Sequence, residues 1–174
     1  MVNHLFRDCI FTQQVLRELE WLIQHPTDNL IGKSGVIARN KEVLVIALCT
    51  YPWENISDPI MAEARACLQT VTMVEDMGFQ DICVERDAVT VIRKLNFAEE
   101  DISCISSLIQ EIKGRTPNFR RLCFKYVPRK VSKAAHWMAL KGWGYEDPQY
   151  WMEEVPRAVE RLVNRDRKSG DDGG

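Results

Sequence analysis

Hydrophobic and polar positions alternate along this chain with the periods of an α/β protein. Apolar residues recur at helical spacing over residues 9–24, and a polar loop follows over residues 26–34. Two strand candidates, residues 35–38 and 42–50, enclose the polar segment 39–41, which is typical of an antiparallel hairpin. The pattern therefore predicts an N-terminal helix followed by a β-hairpin.

A long helix is predicted to begin at Asp58, which suits the N-cap, and Pro59, which suits the first helical position. Gly78 suits the residue that follows the helix. The buried stripe is expected to comprise Ile60, Ala64, Cys67, Leu68, Val71 and Val74. Next come a strand over 81–85, helices over 88–95 and 102–113, a strand over 121–127 and a helix over about 134–139. This order predicts an α/β fold, a mixed β-sheet flanked by helices.

Composition adds a cellular context. The 174 residues, 45% hydrophobic and 28% charged, are typical of one soluble domain with extra length at its ends. No apolar run approaches the roughly 20 residues that cross a bilayer, and the N-terminus does not resemble a secretory signal. We expect an intracellular monomer, nuclear or cytoplasmic, without a membrane partner. The six cysteines contain no CxxC pair and are expected to be buried free thiols.

A basic segment stands out although the net charge is only −2. Residues 113–133 contain eight lysines and arginines, no acid, and the aromatic residues Phe119, Phe124 and Tyr126. Such a segment can neutralise phosphates while its aromatic rings stack on bases. The alternative is a solvated strand edge protected by basic side chains, and charge alone favours that alternative.

Two acidic residues occupy places where α/β proteins carry their sites. Glu63 lies in the first turns of the long helix, and Asp87 follows the strand over 81–85. Carboxylates there could converge on divalent cations, which as a pair drive phosphodiester hydrolysis. Structural alternatives exist, because Glu63 could complement the helix dipole and Asp87 could cap the next helix. Spacing alone favours those structural roles.

Several segments, in order between residues 32 and 166, resemble one known family. They are Gly32-Lys-Ser-Gly-Val-Ile-Ala-Arg-Asn40, Met61-Ala-Glu63-Ala-Arg-Ala-Cys-Leu, Val84-Glu-Arg-Asp87-Ala-Val-Thr-Val-Ile92, residues 107–112, residues 124–139 and residues 151–156. The family is the ribonuclease H-like (RNase H type-1) domain of plant non-LTR retrotransposon-derived proteins. The second of these segments resembles its Ala-Glu-Ala helix, and the third its Glu-x-Asp-Ser segment.

The resemblance implies a metal-dependent nuclease that cuts the RNA strand of an RNA–DNA hybrid with two Mg²⁺ (or Mn²⁺) ions. It places Glu63 and Asp87 at two of four acidic positions, as catalytic metal ligands. His136 stands where the family often has aspartate, and it could position a proton, contact a phosphate or simply pack. With the hybrid as partner, basic residues near the last strand become candidate nucleic-acid contacts: Arg120, Arg121, Lys125, Arg129, Lys130 and Lys133.

The family's first strand, which is central in its sheet and carries an Asp-Gly or Asp-Ala signature, has no counterpart upstream of Gly32. Glu20 lies at a plausible distance, but the helical pattern of residues 9–24 opposes a strand there. We therefore expect the first (central) strand to be missing or replaced. Either residues 18–24 fill the gap, or unpaired backbone groups leave the domain marginally folded.

The N-terminus resembles the end of the zinc-binding region of plant retrotransposon reverse transcriptases. His4 and Cys9 fit the second half of its ligand set, and the CxxC half is absent, so no complete zinc site is expected. We divide the chain into this remnant (residues 1–24), a ribonuclease H-like domain (25–163) and a disordered tail (164–174). Three functions stay open: a hybrid endoribonuclease weakened or inactivated by loss of the first catalytic strand, a non-catalytic nucleic-acid-binding module, and an inert retroelement relic.

Overall fold

The computed structural model describes residues 20–24, 33–39, 45–52, 56–97, 102–128 and 149–152. Six strands lie in these ranges: β1 (Glu20–Gln24), β2 (Lys33–Arg39), β3 (Val45–Pro52), β4 (Asp81–Arg86), β5 (Arg121–Tyr126) and β6 (Gln149–Met152). Three helices accompany them: α1 (Pro59–Asp76), α2 (Val89–Asn96) and α3 (Ser106–Arg115). A 3-10 turn over Thr116–Asn118 follows α3.

The strands form one mixed sheet in the order β5-β4-β1-β2-β3-β6. Strands β1, β2, β3 and β6 pair antiparallel in succession, whereas β4 is parallel to both β1 and β5. The predicted α/β fold with a mixed sheet and flanking helices is confirmed. In the described part of the chain, no helix is both long enough and apolar enough to cross a membrane.

Strand β1 occupies the central position, so the alternative in which residues 18–24 fill the gap is confirmed for residues 20–24. Leu22 is the register partner of Arg39 in β2 on one side and of Cys83 in β4 on the other. The helix predicted over residues 9–24 is therefore wrong for residues 20–24. Pairing on both sides satisfies the backbone groups of β1 and of its neighbours, which outweighs a weak local preference for helix. Residues 20–24, which we had assigned to the N-terminal remnant, belong to the sheet.

Both ends of α1 form as the sequence predicts. The Asp58 side chain accepts hydrogen bonds from the backbone N–H groups of Ile60 (2.8 Å) and Met61 (3.3 Å). At the other end Gly78 has a φ of 81°, and the N–H of Phe79 donates to the carbonyl of Val74 at 3.0 Å. This Schellman arrangement needs a residue that tolerates positive φ, which explains glycine at that position.

The core lies between α1, β4 and the other two helices. Ala64, Cys67, Val71 and Val74 of the predicted stripe are buried, but Leu68 is only half-buried and Ile60 is exposed. The core also contains residues from β4, from the other two helices and from the segments next to them: Phe79, Ile82, Val84, Val91, Leu95, Ile105, Ile109 and Ile112. This packing fixes α1 over the end of β4, where the two candidate carboxylates are located.

Four predicted features lie outside the described residues: His4 and Cys9, the helix over 134–139 with His136, the basic residues Arg129, Lys130 and Lys133, and the tail over 164–174.

Candidate active site and nucleic-acid interface

Glu63 and Asp87 are brought to the same end of the sheet. Glu63 lies near the start of α1, and Asp87 immediately follows the last residue of β4. The link between the two elements is Arg86, whose Nη1 donates a hydrogen bond to the backbone carbonyl of Glu63 at 3.0 Å. Both acidic residues are half-buried. The structure therefore places two of the predicted site residues together.

Arg86 is a candidate site residue that the sequence pattern did not single out. Arg86 is only 2% exposed. Its side chain lies on the same face of β4 as those of Ile82 and Val84, and α1 covers that face. Burial lowers the pKa of the Arg86 guanidinium, while Cys67 and the carboxylates of Glu63 and Asp87 oppose that fall. Since arginine titrates only at very alkaline pH, Arg86 is a buried cation. Alternation along β4 could have indicated that residue 86 faces the helix.

Arg86 also affects the neighbouring thiol of α1. Burial raises the pKa of Cys67, and the charge and hydrogen bond of Arg86 act in the opposite direction. Glu63 and Cys67 are four residues apart, so they lie on one face of α1. The guanidinium thus meets α1 along the face that carries both the candidate carboxylate and this thiol.

Strand β1 brings no acidic residue to this end of the sheet. It runs parallel to β4, with Glu20 opposite Asp81 and Gln24 opposite Glu85. Glu20 therefore lies at the far end of the strand, because the stretch from Asp81 to Asp87 spans roughly 20 Å. The register contradicts Glu20 as a substitute for the family's first acid. Gln24 is the last described residue of β1 on the Asp87 side.

The described residues do not fit a pair of divalent cations. Carboxylate oxygens are ligands that Mg²⁺ prefers, but each Mg²⁺ takes six ligands, and two ions need more carboxylates than two. Arg86 is a buried cation beside these two residues, and the charges of Glu63 and Asp87 favour its charged form. Within the described residues, no group of three or more His, Cys, Asp or Glu could hold a metal.

The basic segment is partly occupied by contacts within the protein. On the edge strand β5 and just before it, Lys125 Nζ lies 3.4 Å from Glu85 Oε1, and Arg120 forms an ion pair with Asp81. These two basic side chains remain 65% and 59% exposed, respectively. Their carboxylate partners are nearly buried, with an exposure of 8% for Glu85 and 13% for Asp81. A phosphate would therefore meet the exposed ends of side chains that already pair with buried carboxylates. Arg121 is exposed on the same strand.

Farther from β5 the basic side chains have structural roles. Arg115 Nη1 donates to Glu75 Oε2 at 2.7 Å, and Asn118 donates to the other oxygen of Glu75 at 2.6 Å. Lys113 Nζ donates to the carbonyl of Phe97 at 2.6 Å. These contacts tie α3 and the 3-10 turn to α1 and to the end of α2. Only the part of the segment on and around β5 remains a candidate interface.

The cysteines are in part as predicted. Among the described residues, Cys67 and Cys83 are buried free thiols, whereas Cys104 is exposed and Cys123 is half-buried. Burial raises the pKa of Cys83 to about 12, and a hydrogen bond with Cys123, its register partner on β5, acts in the same direction. Cys83 is therefore protonated at neutral pH and is not a reactive thiol.

The strand order and the parallel pairing of β4 with β1 and β5 are those of a ribonuclease H-like fold. RNase H1 from Halobacterium salinarum NRC-1 is similar, with a TM-score of 0.62 and 15% identity over 72% of this chain and 98% of that one. The N-terminal RNase H domain of Rv2228c from Mycobacterium tuberculosis has a TM-score of 0.59 and 16% identity over 73% of this chain and 95% of that one.

The sequence also matches the model of one protein family. The reverse transcriptase-like family matches residues 25–142, which is more than half of the chain, and the protein belongs to that family. No curated protein matches the sequence. The family match begins directly after β1 ends at Gln24. The central strand is therefore contributed by a segment upstream of the part that the family model recognises.

Proposed function

We propose that this chain is a nucleic-acid-binding ribonuclease H-like domain that recognises RNA–DNA hybrids and cleaves them weakly or not at all. The observation that carries this proposal is the buried Arg86 beside Glu63 and Asp87, in a sheet whose described central strand places no acid near them. Hybrid recognition is supported by the family resemblance and by the two similar structures, which are named RNase H.

Binding is assigned to the basic surface on and around β5. Arg120, Arg121 and Lys125 supply exposed positive charge there, and the proposal adds Arg129, Lys130 and Lys133. Each phosphate contact releases counterions, so the affinity for hybrid is expected to fall steeply as salt rises.

The origin of the central strand belongs to the same proposal. In this proposal the chain descends from plant non-LTR retrotransposon sequences, and residues 1–24 derive from the reverse transcriptase zinc-binding region. The two fragments would have been joined upstream of Gly32. Such a join would explain why β1 precedes the family match and lacks the family's aspartate signature.

Hybrid cleavage by the wild type and by Asp87→Asn tests the catalytic part of the proposal. Any remaining cleavage is proposed to depend on Mg²⁺ or Mn²⁺, on Glu63 and Asp87, and on His136. We expect little or no product from either protein with either ion. The matched control is Asp76→Asn, which removes one exposed carboxylate from the last turn of α1. Strong cleavage that Asp87→Asn abolishes and Asp76→Asn preserves would contradict the proposal.

A further inference from the structure

Arg86 occupies an unusual place for a cation. It is among the largest fully buried side chains of the described core, and it lies under the first turns of α1. Its Nη1 donates a hydrogen bond to the main-chain carbonyl of Glu63. The hydrogen bond therefore persists when the Glu63 side chain is changed, which allows the charge and the hydrogen bond of Arg86 to be tested separately.

The stability of this end of the sheet depends on which group compensates the negative charges of Glu63 and Asp87. Two nearby carboxylates without a cation repel each other, and removal of one then stabilises the fold. A buried arginine, by contrast, is destabilising unless negative groups compensate its lost hydration. Glu63 and Asp87 both favour the charged form of Arg86. Arg86 is buried, its guanidinium lies against the main chain of Glu63, and Asp87 is the next residue in the chain.

We propose that Arg86 is a resident counter-cation that neutralises Glu63 and Asp87 and thereby opposes the binding of a divalent cation at this position. Arg86 acts through its charge on the two carboxylates and does not touch substrate. The inference rests on the proposed function for the role of the two carboxylates, and it supplies a physical reason for weak cleavage.

The proposal is tested by whether Tm falls or rises, in metal-free buffer, when one of the two carboxylates is removed. Asp87→Asn and Glu63→Gln each leave Arg86 buried with less compensating charge, so we expect each to lower Tm by roughly 2–4 °C or more. Asp76→Asn serves as the matched control and should leave Tm nearly unchanged. An unchanged or raised Tm in both Asp87→Asn and Glu63→Gln would overturn the proposal.

The complementary experiment removes the cation and measures Tm with and without Mn²⁺. Arg86→Met keeps a long apolar side chain without the charge, and Arg86→Lys keeps the charge. We expect Mn²⁺ to raise Tm of Arg86→Met in a concentration-dependent way, as binding to the folded state requires. The wild type, Arg86→Lys and the exposed control Arg93→Met should not respond. An equal Mn²⁺ response in the wild type would overturn the proposal.

If Arg86→Met does not fold, the carboxylate variants still decide, because they retain Arg86. A purely structural arginine would lower Tm when removed, but it would not produce a Mn²⁺ response. None of these measurements uses nucleic acid. If the Tm results contradict the expectations, the counter-cation role of Arg86 is refuted and the proposal of hybrid binding is unaffected. If the protein does not bind hybrid, only the proposed function is refuted.

Discussion

Leu22→Pro is expected to lower the free energy of unfolding by about 3 kcal/mol or more, as measured by urea denaturation. Residues 22–24 of β1 are paired on both sides, so the backbone N–H of Leu22 faces either β2 or β4. Proline removes this donor, leaves an acceptor on the neighbouring strand unpaired, and places its ring between paired strands. A domain of this kind has only about 5–15 kcal/mol of stability in total.

Tyr126→Pro is the matched control, since it places the same ring in a strand paired on one side. Arg121 and Val127 donate their N–H groups to the carbonyls of Gln80 and Arg86. Alternation along β5 therefore directs the N–H of Tyr126 away from β4, and we expect a loss of about 1 kcal/mol or less. Equal losses in the two variants would show that β1 is not a central strand.

Phe79→Ala is expected to destabilise the domain by about 3–5 kcal/mol. Phe79 is 1% exposed and belongs to the core that includes Val74 and Ile82, and its side chain fills space at the turn between α1 and β4. Alanine retains the backbone N–H that closes the end of α1, so the loss reports the cavity. Because this core fixes α1 over β4, the variant should also loosen the pairing of Glu63 with Arg86.

Phe97→Ala makes the same chemical change at a residue that is 56% exposed. Surface substitutions of this kind usually change stability by no more than about 0.5 kcal/mol. The two variants are to be compared by urea denaturation with a shared m-value. Similar losses for both phenylalanines would contradict the placement of the core.

The parts of the fold that the sequence predicted are those with a local chemical signature. Asp58, Pro59 and Gly78 fix the ends of α1 through hydrogen bonds and a backbone conformation that involve only nearby residues. The alternation in β5 and the carboxylates of Glu63 and Asp87 are similarly local. Each could be located without knowing what lies across the sheet.

Strand β1 could be predicted only as one of two alternatives, because its conformation is set by its neighbours. Residues 20–24 carry the end of a helical pattern, and they become extended because β2 and β4 both offer unpaired backbone groups to that position. The fate of Glu20 depends on register, which no local pattern encodes. A parallel pairing shifted toward Asp87 would have brought that carboxylate to the site.

Arg86 was missed for a different reason. A charged residue next to Asp87 at a strand end suggests a solvated side chain, since arginine is rarely buried unless it is paired. Its partners, Glu63 and Cys67, come from a helix that precedes it in the chain by about twenty residues. Alternation with Ile82 and Val84 indicates the face of β4 on which residue 86 lies, whereas its burial follows from the packing of α1 on that face.

The described residues form a ribonuclease H-like fold in which β1 supplies the central strand. Under the proposed function, the buried Arg86 alters the charge balance around Glu63 and Asp87. Binding of a polyanion needs only exposed basic residues around β5, whereas two-metal cleavage needs the carboxylates to be available to cations.

The most direct test of the central claim measures binding and cleavage in the same sample. A labelled RNA–DNA hybrid is titrated with the protein in Mn²⁺ at several salt concentrations, fluorescence anisotropy gives Kd, and the RNA strand is then resolved on a denaturing gel. We predict saturable binding that weakens as salt rises, with the RNA intact. Complete cleavage of the RNA, or no binding at the lowest salt, would contradict the account.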